Sequence, residues 1–215
     1  MTSDDAYPAE REPGVGRPGR RGARRAFFAA VLRKPGQIGA VAPSSPSLAG
    51  VIASVVPTAG GPVVVELGPG TGAVTTAIDA RLDPGARHLA VELDPRMAGF
   101  LRQAHPGLEV VEGDAAKLQT LLTERGVDHA DAVISGLPWA LFDDETQESI
   151  LGQIASLTGP DGVFATFAYR HGMALASARR FRRSLQNTFA EVLLTPTVWR
   201  NMPPAFVYVC RHPRT

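Results

Sequence analysis

The run Val63-Val64-Val65-Glu66-Leu67 ends beside a carboxylate and opens directly into Gly68-Pro69-Gly70-Thr71-Gly72, after which a helical pattern begins. Glycine tolerates positive φ and carries no Cβ, so such a turn lets the backbone fold sharply and approach a ligand closely. A buried strand followed by a turn of this kind puts a small-molecule site at the carboxyl end of a parallel sheet. Two further acids fall at comparable places. Glu92 closes His88-Leu89-Ala90-Val91, and Asp114 stands in Glu112-Gly113-Asp114-Ala115 after a third apolar run. A carboxylate at position 92 can accept hydrogen bonds from two ribose hydroxyls. Gly68, Gly70 and Ala73 also satisfy the dinucleotide fingerprint G-x-G-x-x-G/A, with Glu92 near the distance of a ribose-binding acid. The turn alone therefore points to a nucleoside-containing cofactor without choosing one. Each acid taken singly also suits a helix N-cap or first turn; three at consecutive strand ends point to one ligand.

The elements that must position these residues alternate along the chain. Strands are predicted at 63–67, 87–92, 108–112, 131–135 and 162–168, and helices at 72–82, 95–104, 115–124, 144–158 and 172–186. That rhythm is the signature of a doubly wound, mostly parallel α/β sheet. Two β-rich runs, 189–198 and 205–211, are split by Asn201-Met202-Pro203-Pro204 and read as a terminal antiparallel pair, which brings the sheet to seven strands. Upstream, Ser44-Ser45-Pro46 starts a helix that runs to about Val55. Ala23 to Leu32 forms a shorter helix with Phe27, Phe28, Val31 and Leu32 on one side and Arg24, Arg25 and Lys34 near its ends. Such a helix suits a membrane interface, or its apolar face packs on the domain. Residues 1–22 read as a disordered leader, 23–58 as N-terminal amphipathic or lid helices, and 59–215 as the cofactor-binding domain.

Composition narrows the partners. The hydrophobic content of 44% supports one sizeable core in 215 residues, and no window approaches the ~20 apolar residues of a membrane span. The first twenty residues are polar, contain Pro8, Pro13 and Pro18, and show no apolar core of a secretory signal. Cys210 is the single cysteine, which excludes an internal disulfide framework and fits a reducing cytoplasm. His88, His105, His129, His171 and His212 show no metal-ligand spacing, so no metal is assigned. Net charge is only +1, yet arginines gather between Arg17 and Lys34 and again at Arg179, Arg180, Arg182 and Arg183. Clusters of this kind suit phosphate backbones or acidic lipid surfaces, or simply face solvent.

Glu66 with Gly68, Gly70 and Gly72 resembles motif I of the class I S-adenosylmethionine-dependent methyltransferases. The resemblance implies a Rossmann-like fold and S-adenosyl-L-methionine as cofactor, held by Gln37, Glu66, Gly68, Gly70, Glu92, Asp114 and Ser135. In that family the glycine turn faces the methionine part, Glu92 takes the ribose hydroxyls, and Asp114 accepts from the adenine amine. The loop Ser135-Gly136-Leu137-Pro138-Trp139 then meets the methyl acceptor. The order of Gly36-Gln37-Ile38-Gly39, motif I, Glu92-Leu93-Asp94, Gly113-Asp114-Ala115 and Leu137-Pro138-Trp139 resembles the ribosomal RNA adenine dimethyltransferases. Those enzymes carry Gln-Asn-Phe and Asn-Leu-Pro-Tyr, where this chain has Ile38 and Gly136 in place of the asparagines. They also use an extra helical domain to grip RNA.

A closer resemblance, covering most of residues 27–211, is to the bacterial phospholipid N-methyltransferases, which convert phosphatidylethanolamine stepwise towards phosphatidylcholine. It rests on the basic first helix, Gly39-Ala40-Val41-Ala42-Pro43-Ser44-Ser45, motif I, Ser135-Gly136-Leu137-Pro138 and Asn201-Met202-Pro203-Pro204-Ala205-Phe206-Val207-Tyr208. Phe167-Ala168-Tyr169-Arg170-His171 follows the family's Phe-Thr-Tyr-Gly only in part. The resemblance implies N-methylation of phosphatidylethanolamine or a related lipid amine by a cytoplasmic enzyme. It also implies peripheral attachment to an anionic membrane through residues 23–34, with no obligate protein partner. Such a reaction needs a neutral amine, near-attack geometry and a dry cavity. Carbonyls near Ser135 and Gly136 suit the amine, and Tyr169 or His171 suits its proton, so Ser135, Tyr169 and His171 are the candidate catalytic residues. Trp139, Phe142 and Tyr169 are expected to favour a methylammonium by cation–π contact, worth ~0.5–2 kcal/mol. An RNA adenine-N6 methyltransferase, a small-molecule methyltransferase and a non-catalytic cofactor-binding module are the competing readings.

Overall fold

A computed structural model describes residues 44–214. The leader 1–22, the basic helix within 23–34, Gln37, Ile38 and the segment 39–43 lie outside the described residues.

Seven strands form one sheet. They are β1 (Val63–Leu67), β2 (Arg87–Glu92), β3 (Glu109–Glu112), β4 (Ala132–Ser135), β5 (Val163–Tyr169), β6 (Phe189–Leu194) and β7 (Ala205–Pro213). Their spatial order is β3-β2-β1-β4-β5-β7-β6. The first five pair in parallel, whereas β7 lies antiparallel to both β5 and β6. The expected doubly wound, mostly parallel seven-stranded sheet is therefore the observed one. The connecting helices are α1 (Pro46–Ala53), α2 (Ala73–Asp79), α3 (Pro95–Ala104), α4 (Leu118–Thr123), α5 (Asp144–Thr158) and α6 (Ala176–Thr188).

Helices cover both faces of the sheet, so the central strands are almost continuously apolar, as burial on two sides requires. The two-residue period of β1 sorts its side chains. Val65 and Leu67 join Leu118, Leu122, Ile150, Ile154 and Phe181 on the α4–α5–α6 face. Val64 joins Leu48, Ile52, Val74 and Ile78 on the α1–α2 face. Glu66 shares that second face, which decides what lies beneath the glycine turn. The strand order reverses between β1 and its neighbours β2 and β4, and this switch point opens a crevice at the carboxyl ends of the strands.

Polar residues fix the helix starts. Ser45 caps α1 by accepting from Leu48 N at 3.2 Å, Asp94 caps α3 and Asp143 caps α5. The boundaries that differ from the sequence reading have local causes. The strand expected over 189–198 stops at Leu194 because Pro196 has no N–H to donate, and Val198 makes only an isolated bridge to Ala205. The helix expected from 172 starts at Ala176, after a 3-10 turn over Arg170–Gly172. The helix expected over 115–124 divides into a 3-10 turn capped by Asp114 and the short α4.

Phe164 ties the terminal hairpin to the parallel sheet: its ring stacks on Phe189 at 5.8 Å and meets Trp139 edge-on at 6.0 Å. Replacing it by alanine is expected to cost about 3–5 kcal/mol of unfolding free energy. Urea titration followed by circular dichroism checks this; a loss below about 1 kcal/mol would mean the hairpin holds without it.

Candidate cofactor and acceptor site

At the end of β1 the chain turns through three left-handed glycines, Gly68 (φ 65°), Gly70 (φ 57°) and Gly72 (φ 79°). The turn is anchored on both sides. Gly68 N donates to Val91 O of β2 at 2.9 Å, and Gly136 N donates to Leu67 O at 2.8 Å. The loop after β4 packs backbone against backbone on this turn: a Cβ built on Gly136 would lie 2.6 Å from Gly68 O. No side chain fits at position 136 unless the turn itself moves.

Glu92 is buried at the end of β2, where its carboxylate accepts from Gly70 N at 3.3 Å and Asp94 N at 2.9 Å. Burial raises its pKa above the usual carboxylate range, and the backbone donors only partly offset this. Each of its oxygens keeps a lone pair for a ribose hydroxyl. Asp114, at the same edge after β3, is half-buried and spends one oxygen on Ala116 N at 3.0 Å.

Beneath the turn lies a chain of charges in which only Glu66 is expected at the site from sequence; Thr75, Asp79, His88 and His105 are not. Glu66 accepts from Thr75 Oγ1 at 2.6 Å, and the same oxygen stands 3.7 Å from His88 Nε2. His88 Nδ1 meets Asp79 of α2 at 2.8 Å, and the other Asp79 oxygen meets His105 Nδ1 at 2.9 Å. His105 in turn reaches back to the turn, since a Cβ on Gly72 would lie 2.8 Å from its Nε2. His88, Asp79 and His105 border a shallow depression that Asp83 also lines. Burial alone would drive the His88 pKa down. The hydrogen bond to Asp79 and the Glu66 charge outweigh that and raise it from 6.5 to about 8. At 3.7 Å, Glu66 acts on His88 through charge, not through a hydrogen bond, and Nε2 has no hydrogen-bond partner among the described residues. Strand alternation offered a signal for this group, because Val64 pairs with His88 and so puts the imidazole on the face of Glu66.

The acceptor side is less evenly assembled. Ser135 is fully buried; its Oγ accepts from Leu137 N at 3.2 Å and from the Trp139 indole at 3.1 Å. Its carbonyl accepts from Thr166 Oγ1 at 2.9 Å, so both groups hold the loop in shape. Tyr169 ends β5, half-buried, with burial pushing its phenol up to about 12. The exposed His171 stacks on it at 5.8 Å. Glu66, Gly68, Gly70, Glu92 and Ser135 thus meet at the switch point, with Asp114, Tyr169 and His171 further along the same edge. Trp139 and Phe142 do not line the site. They are only 3% and 7% exposed, and Trp139 stacks on Phe181 at 4.9 Å. The expected cation–π role of these two rings is corrected to core packing, because the 3-10 turn over Trp139–Leu141 tucks the indole inward. On α6, Arg180 pairs with Asp144 at 3.3 Å, while Arg179, Arg182 and Arg183 are exposed. No group of His, Cys, Asp or Glu among the described residues could hold a metal ion.

A family model described as a methyltransferase domain matches residues 64–162. The ornithine lipid N-methyltransferase of Singulisphaera acidiphila is 35% identical over 177 residues, which cover 81% of this chain and 88% of that protein. The ribosomal RNA small subunit methyltransferase A of Caulobacter vibrioides is 41% identical over 83 residues, covering 37% of this chain and 30% of that one. Among solved structures, the O-methyltransferase from Bacillus cereus in complex with SAH superposes with a TM-score of 0.61 at 14% identity. That superposition covers 88% of this chain and 91% of the other, and it speaks to the fold alone.

The charge network carries a pH dependence whose sign follows from His88. Its folded pKa lies above the ordinary value, so its contribution to stability is full below pH 6.5 and is lost as pH rises through about 8. The expected loss is on the order of 1–2 kcal/mol, and His88→Gln should flatten it. Chemical denaturation of both proteins on either side of that window checks this. Parallel pH profiles for the two would show that His88 carries no such charge.

Proposed function

The chain belongs to the lipid N-methyltransferases among the class I, S-adenosylmethionine-dependent methyltransferases, and on that premise we propose that it methylates the primary amine of a membrane lipid headgroup. Phosphatidylethanolamine and ornithine lipid are the two substrates to which the reading applies. The observation that carries it is the contact of Gly136 with Gly68 O, which leaves the acceptor loop no room for a side chain. A nucleobase edge read by an asparagine at this position has no counterpart here. A small amine, by contrast, needs only carbonyl acceptors and a tight approach.

The residues of the site fit the cofactor. The glycine cradle has no Cβ where a ligand must approach, Glu92 offers two acceptor oxygens, and Asp114 keeps one free of its capping bond. Gln37 joins them by resemblance. When bound, S-adenosylmethionine supplies an electrophilic methyl group on a sulfonium. The protein's part is to hold the amine in line and exclude water. Ser135 fixes the loop whose backbone carbonyls orient the amine. Tyr169 orients the amine as a neutral phenol, since a phenol with a pKa of about 12 already holds its proton at neutral pH and offers no base. His171, exposed beside it, accepts the amine proton and passes it to water. Arg179, Arg182 and Arg183 offer cations to an anionic headgroup or its neighbours. The enzyme works in the cytoplasm as a peripheral membrane protein, with residues 23–34 as one basic attachment.

Methyl transfer from radiolabelled S-adenosylmethionine to vesicles of phosphatidylethanolamine, vesicles of ornithine lipid and total RNA tests the reading. Label is expected in one or both lipids; label in RNA with none in lipid would contradict it. Asp114→Ala should weaken cofactor binding about tenfold or more, as loss of a charge-assisted hydrogen bond does. Calorimetric titration checks this, and unchanged affinity would remove Asp114 from the adenine site.

A further inference from the structure

Two turns at the carboxyl edge of the sheet expose large apolar side chains beside arginines. Arg170 to Leu175 leaves β5, and Trp199 to Met202 precedes β7. Trp199 is 67% exposed, Met202 75% and Leu175 57%, with Met173 partly exposed as well. The turns are locked together. Arg170 N donates to Pro204 O at 2.9 Å, its guanidinium reaches Thr197 Oγ1 at 3.2 Å, and the same group lies 5.4 Å from the Trp199 ring centroid. Beneath them Asn201 is buried, accepting from Ser45 N at 2.9 Å and donating to Pro203 O at 2.7 Å. These side chains are therefore held outward by a satisfied turn and are not exposed by fraying. The register that pairs Tyr169 with Ala205 puts both turns on the edge where the glycine turn opens.

We propose that this rim, centred on Trp199 and Met202 and flanked by Arg170 and Arg200, is the surface on which the protein rests on an anionic bilayer. The inference rests on the lipid reading above and names the face that meets the lipid. An amphipathic indole beside guanidinium groups suits the headgroup layer, where the ring is half-immersed and the cation meets phosphate. Met173, Leu175 and Met202 offer aliphatic surface to acyl chains, and Trp199 is the one strongly exposed aromatic ring of the rim, whereas a single-stranded RNA would need several rings to stack successive bases. Neither Arg170 nor Arg200 pairs with a carboxylate among the described residues. A second copy would bring like charges together, and so would the arginine-rich stretch from Arg17 to Lys34. A negatively charged surface satisfies both the apolar and the cationic parts.

The chain has two tryptophans, Trp139 at 3% exposure and Trp199 at 67%, so fluorescence reports on the rim. Adding vesicles of phosphatidylethanolamine with phosphatidylglycerol to the full chain should shift Trp199 emission to shorter wavelength and shield it from acrylamide. Trp199→Phe, which leaves only the core tryptophan, should lose that response. The pair Trp199→Asp and Met202→Asp should weaken vesicle flotation about tenfold or more, while transfer to detergent-dispersed lipid persists. Emission that stays unshifted while the protein floats and methylates lipid would overturn the rim and leave the lipid reading intact. Emission already shielded without vesicles would mean that the chain covers the rim itself, and the proposal fails. A shift produced by RNA and not by vesicles would overturn it too. Absence of both flotation and lipid methylation would sink the rim and the lipid reading together.

Discussion

Two backbone segments without side chains meet at the switch point of the sheet, and the site is arranged around that contact. Gly136, following β4, sits where a Cβ would strike Gly68 O at 2.6 Å, and Gly136 N is bonded to Leu67 O. The contact brings the loop after β4 against the glycine turn backbone to backbone, with the Leu137 side chain packed beside Gly68. Ser135 completes the arrangement from behind, with its hydroxyl holding Leu137 N and the buried indole of Trp139. The core reaches the site through that indole, since Trp139 packs on Phe164 and Phe181.

The other support of the turn is electrostatic. Glu66 is buried below it, and a carboxylate in that position needs donors and compensating charge. Thr75 supplies the donor and His88 the charge, while Asp79 keeps the imidazole oriented and relays to His105. Cofactor turn, α2, β2 and the end of α3 are thereby tied by one chain of polar groups. The conspicuous acids thus divide by surroundings, with Glu92 and Asp114 at the carboxyl edge of the sheet, where the proposed cofactor site opens, and Glu66 sharing its carboxylate with the network beneath.

The sheet was legible because its signals are local. The apolar runs and glycine turns fixed the strands to within a residue or two from β1 to β5, and the Pro-Pro turn announced the terminal hairpin. Acids at strand ends were legible for the same reason. Long-range partners were harder to read. Trp139 looked like a pocket aromatic because its loop follows β4, yet only the packing of α6 reveals that it is buried. His88, Asp79 and His105 come from three separate elements and meet only in the fold. Strand alternation could have placed His88 on the face of Glu66, but nothing in the sequence brings His105 to Gly72. The exposed Trp199 and Met202 were visible as a turn, not as a surface, since exposure is a property of the folded chain.

Gly136→Ala bears most directly on the constraint that orders the site. Cofactor affinity, measured by calorimetry beside an unfolding titration, separates a moved turn from a lost fold. The close contact predicts an affinity loss of about tenfold or more with the fold retained, because the methyl group must displace Gly68 and the backbone that cradles the ligand. Binding indistinguishable from that of the parent protein would contradict it, showing that the glycine turn forms without the contact.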